Sequence, residues 1–226
     1  MATSNPYPVR LDIDYPERLG RLSTLLRLVF VIPILVILVL VGGGGGGTQI
    51  GNRDDARVGS VEGARVRSVE GARSSGAGAG ILIGAATALM IVFRQKYPRW
   101  WFDFQRELAR FTLRVGAYAL LLRDEYPSTD EEQAVHLEID YPDARALNRW
   151  LPLVKWLLAL PHYIVLVFLA IGVLIAVIVA WVAILLTGRY PRALFDYVVG
   201  VERWGERVCG YMLYLVTDRY PPFSLR

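Results

Sequence analysis

The chain has little of what redox and metal chemistry needs. Cys209 is its single cysteine, and His136 and His162 are its two histidines. That excludes an intramolecular disulfide framework, a multi-cysteine metal site and a paired-histidine zinc site. Charge of one sign is also scarce: 25 basic residues stand against 21 acidic ones, a net charge of +4. No dense basic stripe exists, so nucleic acid is not an expected partner. Lysine is nearly missing, with only Lys96 and Lys155 among the basic residues. That arginine excess, with abundant Gly, Ala and Val, points to the codon usage of a GC-rich bacterial genome. The run of six glycines from Gly42 is followed by Thr-Gln, not by the Gly-Lys-Ser/Thr of a phosphate loop. Neither a dinucleotide fingerprint nor a Gly-x-Ser-x-Gly elbow occurs. No cofactor, no metal and no catalytic residue is therefore expected.

What is abundant is apolar sequence. Of the 226 residues, 54% are hydrophobic, against 20% charged. Long apolar runs occupy Leu25–Val41, Ile81–Phe93 and Leu151–Leu186. These read as an integral membrane protein. The acidic residues Asp12, Asp14 and Glu17 precede the first run, and no small-residue cleavage site directly follows it. The first apolar segment is thus expected to remain in the mature chain.

An internal repeat organises the rest. Val9-Arg-Leu-Asp-Ile-Asp-Tyr-Pro16 recurs as Val135-His-Leu-Glu-Ile-Asp-Tyr-Pro142. Arg27 and Pro33 match Lys155 and Pro161, and Phe102-Asp103 matches Phe195-Asp196. Arg110, Arg114 and Tyr118 fall on Arg203, Arg207 and Tyr211, and Tyr126-Pro127 falls on Tyr220-Pro221. The expected organisation is a first unit at 1–127, a linker at 128–134 and a second unit at 135–226. The first unit carries an extra Gly- and Arg-rich stretch, 42–80, too poor in large apolar residues to offset its ordering entropy. It is expected to be disordered.

Each unit begins with a period-two segment, a half-buried strand. An apolar region, a Tyr-Pro corner and an amphipathic helix (about 100–122 or 193–216) follow. As one helix, 150–186 would be about 55 Å long, well beyond a hydrocarbon core of about 30 Å. A helical hairpin turning near Gly172 is expected instead, either spanning the bilayer or held re-entrant in one leaflet. The fold class is then a mainly α membrane protein of two tandem repeats, each with a strand, a hairpin and an interfacial helix. Both topologies place 20 of the 25 basic residues on one side. The positive-inside rule makes that side, with both termini, cytoplasmic in a multi-pass protein of the bacterial inner membrane.

Some residues stand out. Asp103, Arg110 and Arg114 share a helix face, as do Asp196, Arg203 and Arg207. They read as a solvated face, or as guanidinium sites for anionic lipid headgroups or a protein partner. Tyr15, Tyr97, Tyr141 and Tyr190 each precede proline and mark element boundaries. With Trp100, Trp101 and Trp150 they suit the headgroup layer as anchors. Lys155 and Arg27 can snorkel.

The run Thr187-Gly-Arg-Tyr-Pro-Arg-Ala-Leu-Phe-Asp196, with Arg203-Trp204, Arg207, Tyr211 and Thr217-Asp-Arg-Tyr-Pro-Pro-Phe223, resembles the bacterial membrane family called domain of unknown function 4389. The resemblance covers nearly all of 135–226 and, more weakly, 9–41 and 81–127. The first unit lacks the Thr-Gly before its Tyr-Pro corner. The resemblance implies a membrane protein and supplies no activity, substrate or catalytic residue. The reading that fits best is a non-enzymatic scaffold or accessory subunit that binds membrane lipids, a membrane protein partner or a second copy. A small transporter or lipid-handling component, and an interfacial membrane enzyme, are the alternatives.

Overall fold

The computed structural model describes residues 7–27, 80–129, 131 and 133–226. Strand β1 is Val9–Ile13 and β2 is Val135–Ile139. Helix α1 covers residues 21–27, α2 is Gly80–Arg94 and α3 is Arg99–Ala119. Helices α4, Pro152–Leu158, α5, Leu160–Thr187, and α6, Arg192–Met212, complete the chain. The proposed insertion at 42–80 and residues 28–41 of the first apolar run lie outside the described residues, apart from Gly80, which opens α2.

The two strands pair antiparallel, Leu11 opposite Leu137 and Arg10 opposite Glu138. Alternation decides their faces. Val9, Leu11, Ile13, Val135, Leu137 and Ile139 are buried, while the residues between them face solvent. The apolar side of the ribbon is covered crosswise: α6 packs on β1, and α3 packs on β2. Helix α5 then packs on α6. One apolar core takes residues from both strands and from α3, α5 and α6.

The expected hairpin turn at Gly172 is corrected. Helix α5 runs unbroken for 28 residues, about 42 Å. Gly172 is a close-packing glycine: a side chain there would collide with the Tyr197 hydroxyl, which donates to Leu169 O at 3.0 Å. The helix is interrupted earlier, between α4 and α5. There Pro161 has no N–H to offer the carbonyl four residues back. The reversal comes later, at Gly188–Pro191, where Gly188 takes φ 71°, and α6 returns along α5. Helices α3 and α6 each pack against a strand, α3 on β2 and α6 on β1.

Among the described residues, α5 is the one helix long and apolar enough to cross a membrane, with a mean hydropathy of 3.2 in its most apolar stretch. Helix α2, at 15 residues, is too short. The expected multi-pass topology therefore has one candidate span in the described residues.

Candidate functional site

The face built from the repeated motifs comes first. In the ribbon, Asp14 N bonds Ala134 O and Asp140 N bonds Pro8 O. With the register above, this makes Leu11 and Leu137 a pair whose carbonyls point outward, away from each other. An arginine takes each one. Arg203 Nε donates to Leu11 O at 2.8 Å, and Arg110 Nε donates to Leu137 O at 3.1 Å. The two open edges, which would otherwise invite another strand, are thereby occupied. Arg203 also meets Asp12 at 3.2 Å, and Arg110 meets Glu107 at 2.9 Å.

The other arginines on these faces are also turned inward. Arg114 donates to Ser128 O at 2.6 Å. Arg207 is 8% exposed and donates to the carbonyls of Ser224 and Arg226, tying down the chain end. Asp103 pairs with Arg106 at 3.2 Å, and Asp196 is exposed at the rim of a groove between α6 and β1. Arg110, Arg114, Arg203 and Arg207 thus each hold a backbone carbonyl.

The strand carboxylates are spread among cations. Arg10 meets Glu138 at 3.1 Å and Asp140 at 2.9 Å, and His136 lies 3.4 Å from Asp14. Antiparallel order causes this, because it sets Arg10 opposite Glu138 and His136 opposite Asp12. Among the described residues no cluster of acidic, His and Cys side chains could hold a metal ion.

The tyrosine corners are internal joints. Tyr15 donates to Tyr190 O at 2.5 Å, and Tyr141 donates to Tyr97 O. Each ring meets a phenylalanine edge-on: Tyr15 with Phe195 at 5.0 Å, Tyr141 with Phe102 at 5.1 Å. Arg192 and Arg99 lie over the Tyr15 and Tyr141 rings, at 4.7 and 5.6 Å. Tyr97 and Tyr190 are 4% and 1% exposed, so neither reaches a headgroup layer. Trp101 donates to Thr87 Oγ1 at 2.9 Å. Trp100 and Trp150 are exposed.

The two buried hydroxyls differ. Tyr97 OH lies against Gln105 Oε1 and 2.9 Å from Tyr214 O, while Gln105 Nε2 donates to Thr87 Oγ1 at 2.7 Å. At the matching positions Thr87 becomes Ala180 and Gln105 becomes Val198. There the Tyr190 hydroxyl has no hydrogen-bond partner among the described residues. Burial pushes both phenols up, Tyr190 to about 12.

Sequence reasoning missed a pair of buried ion pairs. Lys155, 1% exposed, donates to Thr217 O at 2.7 Å, lies 2.8 Å from Asp218 and sits 5.0 Å from the Tyr211 ring centre. Arg27, 2% exposed, bonds Asp124 and Tyr118 O and lies 4.5 Å from the Tyr118 ring centre. Snorkelling was expected of both; instead each is drawn inward by an aspartate. The signal was present: Asp124 and Asp218 both stand two residues before a Tyr-Pro pair. Burial lowers the Lys155 pKa against the pull of Asp218.

His162 is fully buried, accepts from Trp204 Nε1 at 3.2 Å and stacks on Phe223 at 4.1 Å. It packs against Tyr220 and Phe223 near the chain end. On α6, burial and the neighbouring Glu202 carboxylate push Glu206 up to about 8, against the hydrogen bond it accepts from Tyr214 OH at 3.3 Å.

The matched segment of the chain is the one that builds α4, α5, α6 and the clamped end. Residues 150–224 are similar to the family described as Domain of unknown function (DUF4389). The match takes in Lys155, His162, Arg203, Arg207 and Asp218, and leaves out β2 and the first unit. No curated protein and no solved structure matches the chain.

Proposed function

We propose that this chain is a non-enzymatic membrane scaffold or accessory subunit, seated in the bilayer through α5. One observation carries the reading. The side of α5 away from α6 is uniformly apolar and bare, with Ile164, Val167, Phe168, Ile171, Leu174 and Ile178 each between 54% and 69% exposed. Such a continuous apolar face is foreign to a water-borne surface. Only 17% of the most apolar stretch is buried within the protein.

The same reading takes the chain as two copies of one unit that exchange partners across a pseudo-two-fold axis. Arg110 with Leu137 mirrors Arg203 with Leu11, and Tyr15 with Tyr190 mirrors Tyr141 with Tyr97. The outer face of the ribbon carries Asp12, Asp14, Glu138 and Asp140 against Arg10. An acidic face repels anionic headgroups, so it faces away from the bilayer, towards water or a protein partner.

The test is extraction of cell membranes with alkaline carbonate. The native chain should stay in the membrane pellet, and release with detergent. Recovery as a monomer from the aqueous fraction would overturn the reading. Ile171→Arg with Leu174→Arg, both on the bare face, should move the chain out of the pellet.

A further inference from the structure

A cavity of about 460 Å³ lies between α1, α3 and α5, lined among the described residues by Thr24, Arg27, Ala119, Leu121, Val177, Ile178 and Trp181. That size falls within the roughly 300–1,000 Å³ of small-molecule sites. Ala119, Leu121, Val177 and Ile178 make an apolar wall. The polar side carries two buried donors without partners among the described residues, Arg27 Nε and Trp181 Nε1. Buried donors in this state call for an acceptor. The Arg27 charge is already matched by Asp124, so what is missing is oxygen lone pairs rather than another full negative charge.

The opposite half of the molecule shows the same parts with the space closed. The positions matching Val177, Ile178 and Trp181 are Gly84, Ala85 and Ala88. There Gly84 is so near Leu213 that an added Cβ would lie 2.9 Å from it. On that side Lys155 spends its ammonium group on Thr217 O and Asp218. Small residues on α2 admit Leu213 on that side, whereas α5 carries Val177, Ile178 and Trp181.

We propose that this cavity is a site for an acyl-chain lipid. The hydrocarbon chain lies along Ala119, Val177 and Ile178, and an acyl carbonyl oxygen accepts from Arg27 Nε and Trp181 Nε1. The inference rests on the membrane-seated reading for its route of entry: Ile178, 55% exposed, belongs to the bare face and to the cavity wall alike. A lipid can therefore enter sideways from the bilayer. Tryptophan near the end of an apolar helix suits the depth at which ester carbonyls lie.

The test uses the full chain purified in mild detergent and two probes, a phosphatidylcholine and a free oleate, each with a photoreactive diazirine in the acyl chain. Crosslinks should concentrate on Val177–Trp181 and Ala119. Trp181→Phe, which removes the donor and keeps an aromatic side chain, should weaken labelling about fivefold, the effect of one neutral hydrogen bond. Val177→Phe, which fills the space and keeps both donors, should abolish labelling. Labelling by phosphatidylcholine supports a bilayer lipid; labelling by oleate alone supports the site with a free fatty acid as its occupant. Labels spread evenly along the bare face of α5, unchanged in both variants, would overturn the proposal while leaving the membrane seat intact. Loss of the chain from the carbonate pellet with site-specific oleate labelling retained would overturn the seat alone.

Discussion

Tyr97 and Tyr190 stand at matched positions, are equally buried and are predicted to respond to the same substitution with opposite sign. Tyr97→Phe removes a hydroxyl that lies against Gln105 Oε1 and 2.9 Å from Tyr214 O. Gln105 is 3% exposed, so its oxygen is left without water to replace the lost donor. A neutral hydrogen bond contributes about 1 kcal/mol net, and an orphaned buried acceptor costs about 1–3 kcal/mol. The expected loss is about 2–3 kcal/mol. Tyr190→Phe removes a hydroxyl that is 1% exposed and has no partner among the described residues. Burying such a group costs about 1–3 kcal/mol, and the ring that packs on Phe195 is kept. The expected gain is about 1 kcal/mol. The two variants should therefore differ by about 3–4 kcal/mol. At about 2–4 °C per kcal/mol for a chain of this size, their Tm values should lie roughly 6–16 °C apart. Thermal unfolding in one detergent, followed by tryptophan fluorescence, measures this. Equal losses in the two variants would refute the assignment of one paired and one orphaned hydroxyl.

Three further predictions follow from local geometry. Gly188 at φ 71° and its counterpart Gln95 at φ 44° share a left-handed turn; Gly188→Ala should cost about 1 kcal/mol, whereas Gln95→Gly should be neutral or stabilising, both read by thermal unfolding. Lys155→Met strands Asp218 and the Thr217 carbonyl; with Asp218 28% exposed, the loss should be about 2–4 kcal/mol, and adding Asp218→Asn should recover part of it in a double-mutant cycle. Glu206 has a folded pKa of about 8 against an ordinary 4.5, so the folded state holds a proton that the unfolded state releases between those values. Its contribution is present below pH 4.5 and is lost as pH rises through 8. Glu206→Gln should match the native Tm at pH 5 and exceed it at pH 8.5; a constant difference between the two pH values would refute the shift.

The strands were legible because alternation is a local signal. The strand residues Val9 to Ile13 and Val135 to Ile139 appear as the period-two pattern required, and the Tyr-Pro pairs mark the corners. The turn in the long apolar run was not legible. Helical period and apolar content cannot tell a glycine that turns the chain from one that lets a tyrosine approach, and Gly172 is the second kind. The contacts of the site were not legible for a related reason. A helix wheel places Arg110 with Arg114 on one face of α3, and Arg203 with Arg207 on one face of α6, but it does not reveal that a strand lies against each helix. The sequence alone makes such an arginine look solvated; the carbonyls of Leu137 and Leu11 take it.

That crosswise packing has a consequence for how the chain holds together. If β1 lay on α3 and β2 on α6, a cut in 128–134 would leave two complete halves. Instead β1 rests on α6 and β2 on α3, so the hydroxyl of Tyr15 closes a corner made by Tyr190, 175 residues away. Each half alone would expose a strand with no covering helix and a helix with no strand. The apolar core draws on residues from both sides of 128–134. Cleavage within 128–134 after folding should leave the two fragments associated in mild detergent, because the contacts that hold them do not pass through the linker. Fragments expressed apart should fold only when mixed. Independent folding of 135–226, with α6 protected from proteolysis in the absence of β1, would contradict the exchange.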